Sequence, residues 1–505
     1  MTRDAAAIGA GLAPARPARP IVQGERIHVV GAAGAGASAA AILAHGAGAE
    51  VTGCDPGGPS PYSAAVEALG IPIASAHDAA HVTDRRPDRL AVTKALTAVD
   101  PDHPELAAAR AAGIPVEPWQ QVVADAATDR RLVAIAGTHG KSTTSGWLVE
   151  LLVAAGADPS AFVGALLPAR VTGGPPATAR IGRGDSMVVE ADEYAGNFDP
   201  YRPDVAVLTN AEWDHPDVFA DEAAVVAAFV AWIERGPVDG TLVVDAGDAG
   251  ARAVAASIRD GRTVLRYRLV EAEAEDEEDA TTADLEGRLV ESTPEGIVLA
   301  VRGLAADAPE RIVRLRTAGR HNASNALAVA GAARALGIPP AAIVAGLEAF
   351  EGVGRRLERK GEAGGVVVYD DYGHHPTAIR ATIAAVRQRE PGRRLWAVYE
   401  PLTYHRTAAL LDGFAAALSD ADAVAVADIW AGRDPDTTVA SAAGLAEAVA
   451  IRRPDMPVMA TGSVEATATR LAAAVAPGDV VLVMGGGRSY RIGEMLLERL
   501  GGTTG

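Results

Sequence analysis

The chain has one cysteine in 505 residues, Cys54. No internal disulfide is possible, which fits a reducing compartment. Surplus positive charge is also missing, since 46 Lys and Arg face 65 Asp and Glu for a net charge of −19. That balance excludes the broad basic face that nucleic-acid binding needs. A small anionic ligand needs only a local positive field and is not excluded. No apolar run approaches the roughly 20 residues of a membrane span. The start, MTRDAAAIGAGLAPARPARP, lacks a Leu-rich signal core and ends in a Pro/Arg tract. It reads as a disordered lead-in over residues 1–24. The expectation is a cytoplasmic protein, monomeric or homodimeric, with no membrane insertion and no nucleic-acid partner.

Lysine is scarce too: Lys94, Lys141 and Lys360 are the whole set. A chain that writes nearly every cation as Arg keeps Lys at 141, inside a glycine-rich turn. A slim point charge suits a phosphate loop better than a planar fork does.

At roughly 100–200 residues per domain, this length implies two to four domains. Three segments each open with an apolar strand and a turn, so the fold is read as α/β with three domains, over 25–125, 126–354 and 355–505. The first begins RIHVVGAAGAGASAAAIL, a strand, a tight turn at Gly31, Gly34 and Gly36, and an Ala-rich helix carrying Ala37 and Ser38. AEVTGCD follows and ends in Asp55, which completes a βαβ pattern. The second has strand candidates at 131–136, 186–190, 205–209 and 241–244, each with polar residues where the run ends. Ligands of open α/β sheets sit at the carboxyl ends of strands, so these ends are expected to share one site. The stretch 262–316 reads as irregular and β-rich, with an acidic run, EAEAEDEED at 271–279, expected as a solvated loop. The third segment repeats strand-like runs between Ala-rich helices, a second Rossmann-like layer.

Six polar clusters carry the chemistry. RLVAIAGTHGKSTT ends a buried strand on Gly137, Thr138, His139, Gly140, Lys141, Ser142 and Thr143. The generic phosphate-loop pattern fails because Ile135 stands at its first glycine. Its mechanical parts remain: glycines that let N–H groups converge, a helix N-terminus, a Lys for phosphate and a Ser for magnesium. VVEADEYAGNF places Glu190, Asp192 and Glu193 after a strand, and Mg²⁺ takes carboxylate oxygens together with substrate phosphates. LTNAEWDHPDVF adds His215 at another strand end. TAGRHNASNA carries His321 and Asn325, GVGRRLERKG carries Arg356, and DDYGHHPTAI carries Asp371, His374 and His375. Taken singly, a cap, a solvated Arg pair or a turn explains each of these last three.

In this order, GTHGKSTT, EADE, N-x-E-x-D-H, G-R-H-N-x-x-N-A, G-x-x-R-R and D-D-Y-G-H-H-P-T resemble the Mur ligase family, ATP-dependent amide-forming enzymes of peptidoglycan synthesis. The resemblance spans about residues 26 to 490 and is greatest to the branch that adds L-alanine to UDP-N-acetylmuramate. It implies a first domain for the UDP-sugar, held around Gly31, Gly34, Gly36, Ala37, Ser38 and Asp55. A second would hold ATP and Mg²⁺ and a third the amino acid. ATP would phosphorylate the lactyl carboxylate, and the amine would displace phosphate from the acyl phosphate. By resemblance, Gly137 to Thr143, His321, Asn325, Arg356 and Asp371 would meet ATP. Ser142 and Glu190 would hold one magnesium, His215 would help hold a second, and His374 and His375 would lie at the amino-acid site. Lys141, Glu190, His215, Arg356 and His375 form the implied catalytic set. The absence of lysine between 141 and 360 excludes the carbamoylated central-domain lysine that some branches use. Departures bear on the choice of amine: EADEYAGN, the tail DHPDVF, LTYHRT and Thr93-Lys94 differ from the L-alanine branch. Tyr194 and DVF are more like the recycling branch, which attaches the tripeptide L-Ala-γ-D-Glu-diaminopimelate. Two other readings are an NAD site, from Gly34-x-Gly36-x-x-Ala39 with Asp55, and a regulatory ATPase.

Overall fold

Ile27–Val30 is buried on both faces, as a strand inside a parallel sheet must be. In the computed structural model, which describes residues 8–100, 102–271, 283–432, 434 and 436–502, this run is the middle of the first of three sheets. Its five strands are all parallel, in the order Ile73–Ala74, Glu50–Cys54, Arg26–Val30, Arg89–Val92 and Val116–Pro118. Chain order reverses beside Arg26–Val30, so the turn after it opens at the switch point. Gly31 takes a positive φ of 78° there, and its N–H donates to the Cys54 carbonyl at 2.8 Å.

The lead-in departs from expectation. From residue 8 it is ordered, with Ile8 buried against Tyr194 and Ala195 of the central domain and the Ala13 N–H donating to Val116 O of the first sheet at 2.7 Å. Arg16 pairs with Glu117 and Asp125, each at 2.8 Å, and Arg19 with Glu25 at 2.6 Å. Buried Arg89 meets the same three carboxylates. The Pro/Arg tract therefore supplies cations to a cluster of which two acids, Glu117 and Asp125, lie about a hundred residues from Arg16, a pairing that local composition cannot reveal.

The central sheet has ten strands, and Arg131–Ala136 lies between Val205–Leu208 and Ser186–Glu190, parallel to both. Thr241–Asp245 and Thr263–Val270 extend it on one side and Ser160–Leu167 on the other. The β-rich stretch becomes Leu285–Thr293, Gly296–Arg302 and Arg311–Leu315, an edge with antiparallel pairing. From residue 272 the acidic run lies outside the described residues. In the third sheet Glu358–Ala363 is antiparallel to Val366–Asp371, and Val480–Gly485, Leu395–Glu400, Ala423–Ala427 and Val458–Gly462 follow in parallel. One apolar core runs from the first domain into the central one, joining Ile42 and Val122 to Phe162, Met187 and Leu208. The third sheet buries its two faces in cores of its own.

Candidate active site

Strand Arg131–Ala136 ends in the glycine turn, and two φ values explain the glycines: 134° at Gly137 and 83° at Gly140. Crowding forbids a side chain as well. A Cβ on Gly137 would strike Thr209 Oγ1, and one on Gly140 would strike Asn325 Oδ1. Helix Lys141–Ala154 starts directly behind the turn. Its N-terminus opens into a cavity of about 1250 Å³ walled by all three domains, from Gly36 and Trp119 through Lys141 to His375.

The three acids at the neighbouring strand end divide their work. Glu190 faces Ser142: the hydroxyl donates to Oε1 at 3.0 Å and the Gly164 N–H donates to Oε2 at 2.7 Å. A Cβ on Gly164 would come within 2.6 Å of that carboxylate, so the glycine keeps room beside it. Glu193 instead accepts from Lys141 Nζ at 3.1 Å. Burial alone would lower the Lys141 pKa. Glu193, Asp192 and Glu190 outweigh it and hold the ammonium above its ordinary value. His215 joins this second group, with Nε2 3.7 Å from Glu193. Ligand atoms of Asp192, Glu193 and His215 lie within 4.8 Å of one another. Ser142 and Glu190, expected to share one magnesium, therefore touch, and His215, expected at a second, stands with Asp192 and Glu193.

The third domain reaches into the cavity at three places. Arg356 Nη2 donates to Ser142 Oγ at 2.7 Å. Thr377 Oγ1 donates to Glu212 Oε1 at 2.7 Å, and His139 Nε2 meets the other oxygen of Glu212 at 2.9 Å. Arg406 pairs with Asp214 at 2.8 Å and lies 3.0 Å from His215 Nδ1. Burial pushes the Asp214 carboxyl up, but Arg406 and His215 outweigh it and hold it well below its usual range. Burial against His139 lowers His375 to about 4, and burial beside Arg406 lowers His374 well below its ordinary value. Burial also lowers His321. All three imidazoles are neutral near pH 7.

His321, Asn325, Asp371, His374 and His375 line this cavity, as do Thr138, His139 and Thr143. The Asp371 carboxylate is engaged within its own domain, accepting from the N–H groups of Leu357 at 2.8 Å and Gly373 at 2.7 Å. The first-domain residues are only partly brought together here. Gly36 lies in the wall, pressed against the Trp119 ring. Asp55 holds the glycine turn through the Ala33 N–H at 3.1 Å, and Ser38 bonds Thr178 of the central domain at 3.0 Å. Gly31, Gly34, Ala37, Ser38 and Asp55 are not among the residues lining the cavity.

Comparison with known proteins accounts for this arrangement. Three family models match in sequence: the Mur ligase family catalytic domain over residues 26–131, the Mur ligase middle domain over 135–333, and the Mur ligase glutamate ligase domain over 355–487. The chain belongs to the Mur ligase family. A curated relative, the UDP-N-acetylmuramate–L-alanine ligase of Frankia casuarinae, is 38% identical over 504 residues, covering 94% of this chain and 98% of that one. Among solved structures, the UDP-N-acetylmuramate-alanine ligase of Thermotoga maritima superposes with a TM-score of 0.75 at 23% identity, over 94% of this chain and 98% of its own. A murein peptide ligase from Psychrobacter arcticus gives 0.71 at 25%, over 95% and 100%. The three-domain α/β architecture expected from sequence is the one this Mur ligase has.

Sequence reasoning missed the third-domain latches. Thr377 belongs to DDYGHHPT and Arg406 to LTYHRT, so both lay within motifs already singled out, but neither signals a partner. That Glu193 rather than Glu190 holds Lys141 follows from side-chain direction at the strand end, where only geometry decides.

Proposed function

We infer that this Mur ligase joins L-alanine to the lactyl carboxylate of UDP-N-acetylmuramate, with ATP split to ADP and phosphate, in peptidoglycan precursor synthesis. A carboxylate is a poor electrophile, and phosphorylation supplies its leaving group. Lys141 and the N–H groups of the following helix meet the phosphates and stabilise the charge on the transferring group. Positioning and electrostatics supply most of the catalysis in such transfers. Arg356 brings a second fixed cation from the third domain. The single observation that carries the reading is its bond to Ser142, which docks the third domain on the phosphate loop. The amine site is assigned beside His374 and His375, both neutral and so unable to repel an incoming amine. His321 and Asn325 are assigned to the nucleotide, and the glycine turn 31–36 with Asp55 to the UDP-sugar. A cytoplasmic setting belongs to the same reading.

Magnesium fits the donors present. Ser142 Oγ and the Glu190 carboxylate are hard oxygen ligands beside the phosphate loop, and Glu193 with His215 forms a neighbouring set. When bound there, Mg²⁺ neutralises phosphate charge. The choice of L-alanine is supported by the Frankia relative, which matches along 94% of this chain. Tripeptide attachment is the second reading, favoured by the position of Tyr194 in the cavity wall, its hydroxyl on Asp217 at 2.9 Å.

The test is phosphate release from ATP and Mg²⁺ with UDP-N-acetylmuramate, adding either L-alanine or L-Ala-γ-D-Glu-diaminopimelate, with the product mass checked. Amide product with L-alanine alone is expected. Turnover with the tripeptide alone would move the enzyme to wall recycling, and silence with both would remove the substrate assignment.

A further inference from the structure

Four of the chain's eleven histidines and its only cysteine gather around one buried carboxylate, outside the cavity described above. The carboxylate is Glu105, fully buried near the start of helix Pro104–Ala112. Cys54 Sγ lies 3.2 Å from each of its oxygens, His28 Nε2 is 3.4 Å from Oε1, and His81 Nδ1 contacts Oε1 directly. His77 Nδ1 lies 3.1 Å from Cys54 Sγ and 3.6 Å from Oε2, and His103 Nδ1 stands 3.9 Å from Oε2.

A hydrogen-bonded core would satisfy its members, and this one does not. His28 is 1% exposed, its Nδ1 lies 2.8 Å from Thr52 Oγ1, and its buried Nε2 has no hydrogen-bond partner. If the Thr52 oxygen accepts from Nδ1–H, the lone pair of His28 falls on Nε2 and points into the cluster. That is the orientation a ligating imidazole needs from its supporting hydrogen bond. Ligand atoms of His28, Cys54, His81 and Glu105 lie within 4.8 Å of one another. Zinc bonds of about 2.0–2.3 Å in a tetrahedron put ligand atoms about 3.3–3.8 Å apart, close to the Cys54–Glu105 and His28–Glu105 separations, whereas the direct His81–Glu105 contact has to open as an ion enters.

We propose that His28 Nε2, Cys54 Sγ, His81 Nδ1 and Glu105 form a four-ligand site for a zinc-class divalent cation within the first domain. Thiolate and imidazole donors select a borderline-soft ion over magnesium, so the site is chemically distinct from the oxygen donors of the central domain. The thiol proton leaves to solvent as the ion binds. Four protein ligands leave no coordination position open for a reacting water, so the role is structural. The ion ties strands Arg26–Val30 and Glu50–Cys54 to helices Ala80–Thr83 and Pro104–Ala112. It also steadies the glycine turn, because the Cys54 carbonyl accepts from the N–H groups of Gly31 and Ala32 at 2.8 and 3.1 Å.

The lone cysteine makes the test specific. Metal-free full-length protein, kept reduced, is titrated with Co²⁺ alone and followed by absorption. One cobalt per chain with a thiolate-to-cobalt charge-transfer band in the near ultraviolet is expected, displaced by Zn²⁺. Cys54→Ser loses the band, whereas Ser142→Ala keeps it. Thr52→Val leaves all four ligands and removes the orienting hydrogen bond, and affinity should fall about 10–100-fold. Wild-type cobalt binding without a charge-transfer band, or no retained cobalt, would overturn the proposal even if Cys54→Ser failed to fold.

Discussion

Two joints hold the three domains together, and they are made of different materials. Between the first and central domains the joint is packed: helix Ala35–Gly46 lies on strands Ser160–Leu167 and Ala177–Arg180 within one continuous apolar core. Trp119 meets Phe162 edge to face at 5.1 Å, and Thr178 bonds both Ser38 and the Ala35 carbonyl. Between the central and third domains, among the described residues, none of the buried apolar clusters is shared. That joint is polar, made by Arg356 on Ser142, Thr377 on Glu212, Arg406 on Asp214, and Gln388 on the carbonyls of Thr293 and Gly296. Apolar burial holds whether or not substrate is present. Polar latches can exchange partners with water and ligand, so the second joint is the one built to open and close over the cavity.

The comparison is tested most strongly where the polar joint meets the chemistry. Lys141→Met removes the phosphate-loop cation, and kcat should fall about 10²–10³-fold, with melting lowered as well because buried Glu193 loses its partner. Steady-state kinetics with calorimetry checks this. Next comes Arg406→Leu, which leaves Asp214 a buried charge without its guanidinium. Opening the joint relieves that cost. A fall of about 10²-fold in kcat/KM is expected from misplaced groups, together with a larger radius of gyration by small-angle scattering. An unchanged radius with a lower melting temperature would instead make the second joint as rigid as the first.

Thr178→Val breaks the packed joint's buried hydrogen bonds and should cost about 1–3 kcal/mol of stability, read by denaturant unfolding, with scattering of the folded protein unchanged. The smallest effect is the response to acid. His375 is held at about 4, below its usual value, so the folded joint binds fewer protons than the open one, and stability is lost as pH falls from about 6.5 towards 4. Glu212, lowered to about 2 by His139 and Thr377 against its burial, adds a loss only below about 4.5. Scattering between pH 7 and 4 should show the polar joint loosening first, with no matching change in the packed one.

The same division explains what could be read from sequence. Strand runs such as RLVAIA and SMVVE are apolar because they are buried on both faces, and their polar ends met in one cavity as the parallel topology requires. GTHGKSTT was legible because its glycines answer a local backbone need. Arg16 was not, since its carboxylates lie at Glu117 and Asp125, and nothing near an arginine tract announces a distant acid. The latches Thr377 and Arg406 hid for the same reason. His28, Cys54, His81 and Glu105 come from four separate elements, so no local spacing marks them.

The most direct measurement is of oxygen transfer. UDP-N-acetylmuramate labelled with ¹⁸O in its lactyl carboxylate is turned over with ATP, Mg²⁺ and L-alanine, and the released phosphate is weighed by mass spectrometry. One labelled oxygen in phosphate for each amide formed is expected if the carboxylate accepts the phosphoryl group. Unlabelled phosphate released alongside amide product would contradict carboxylate activation.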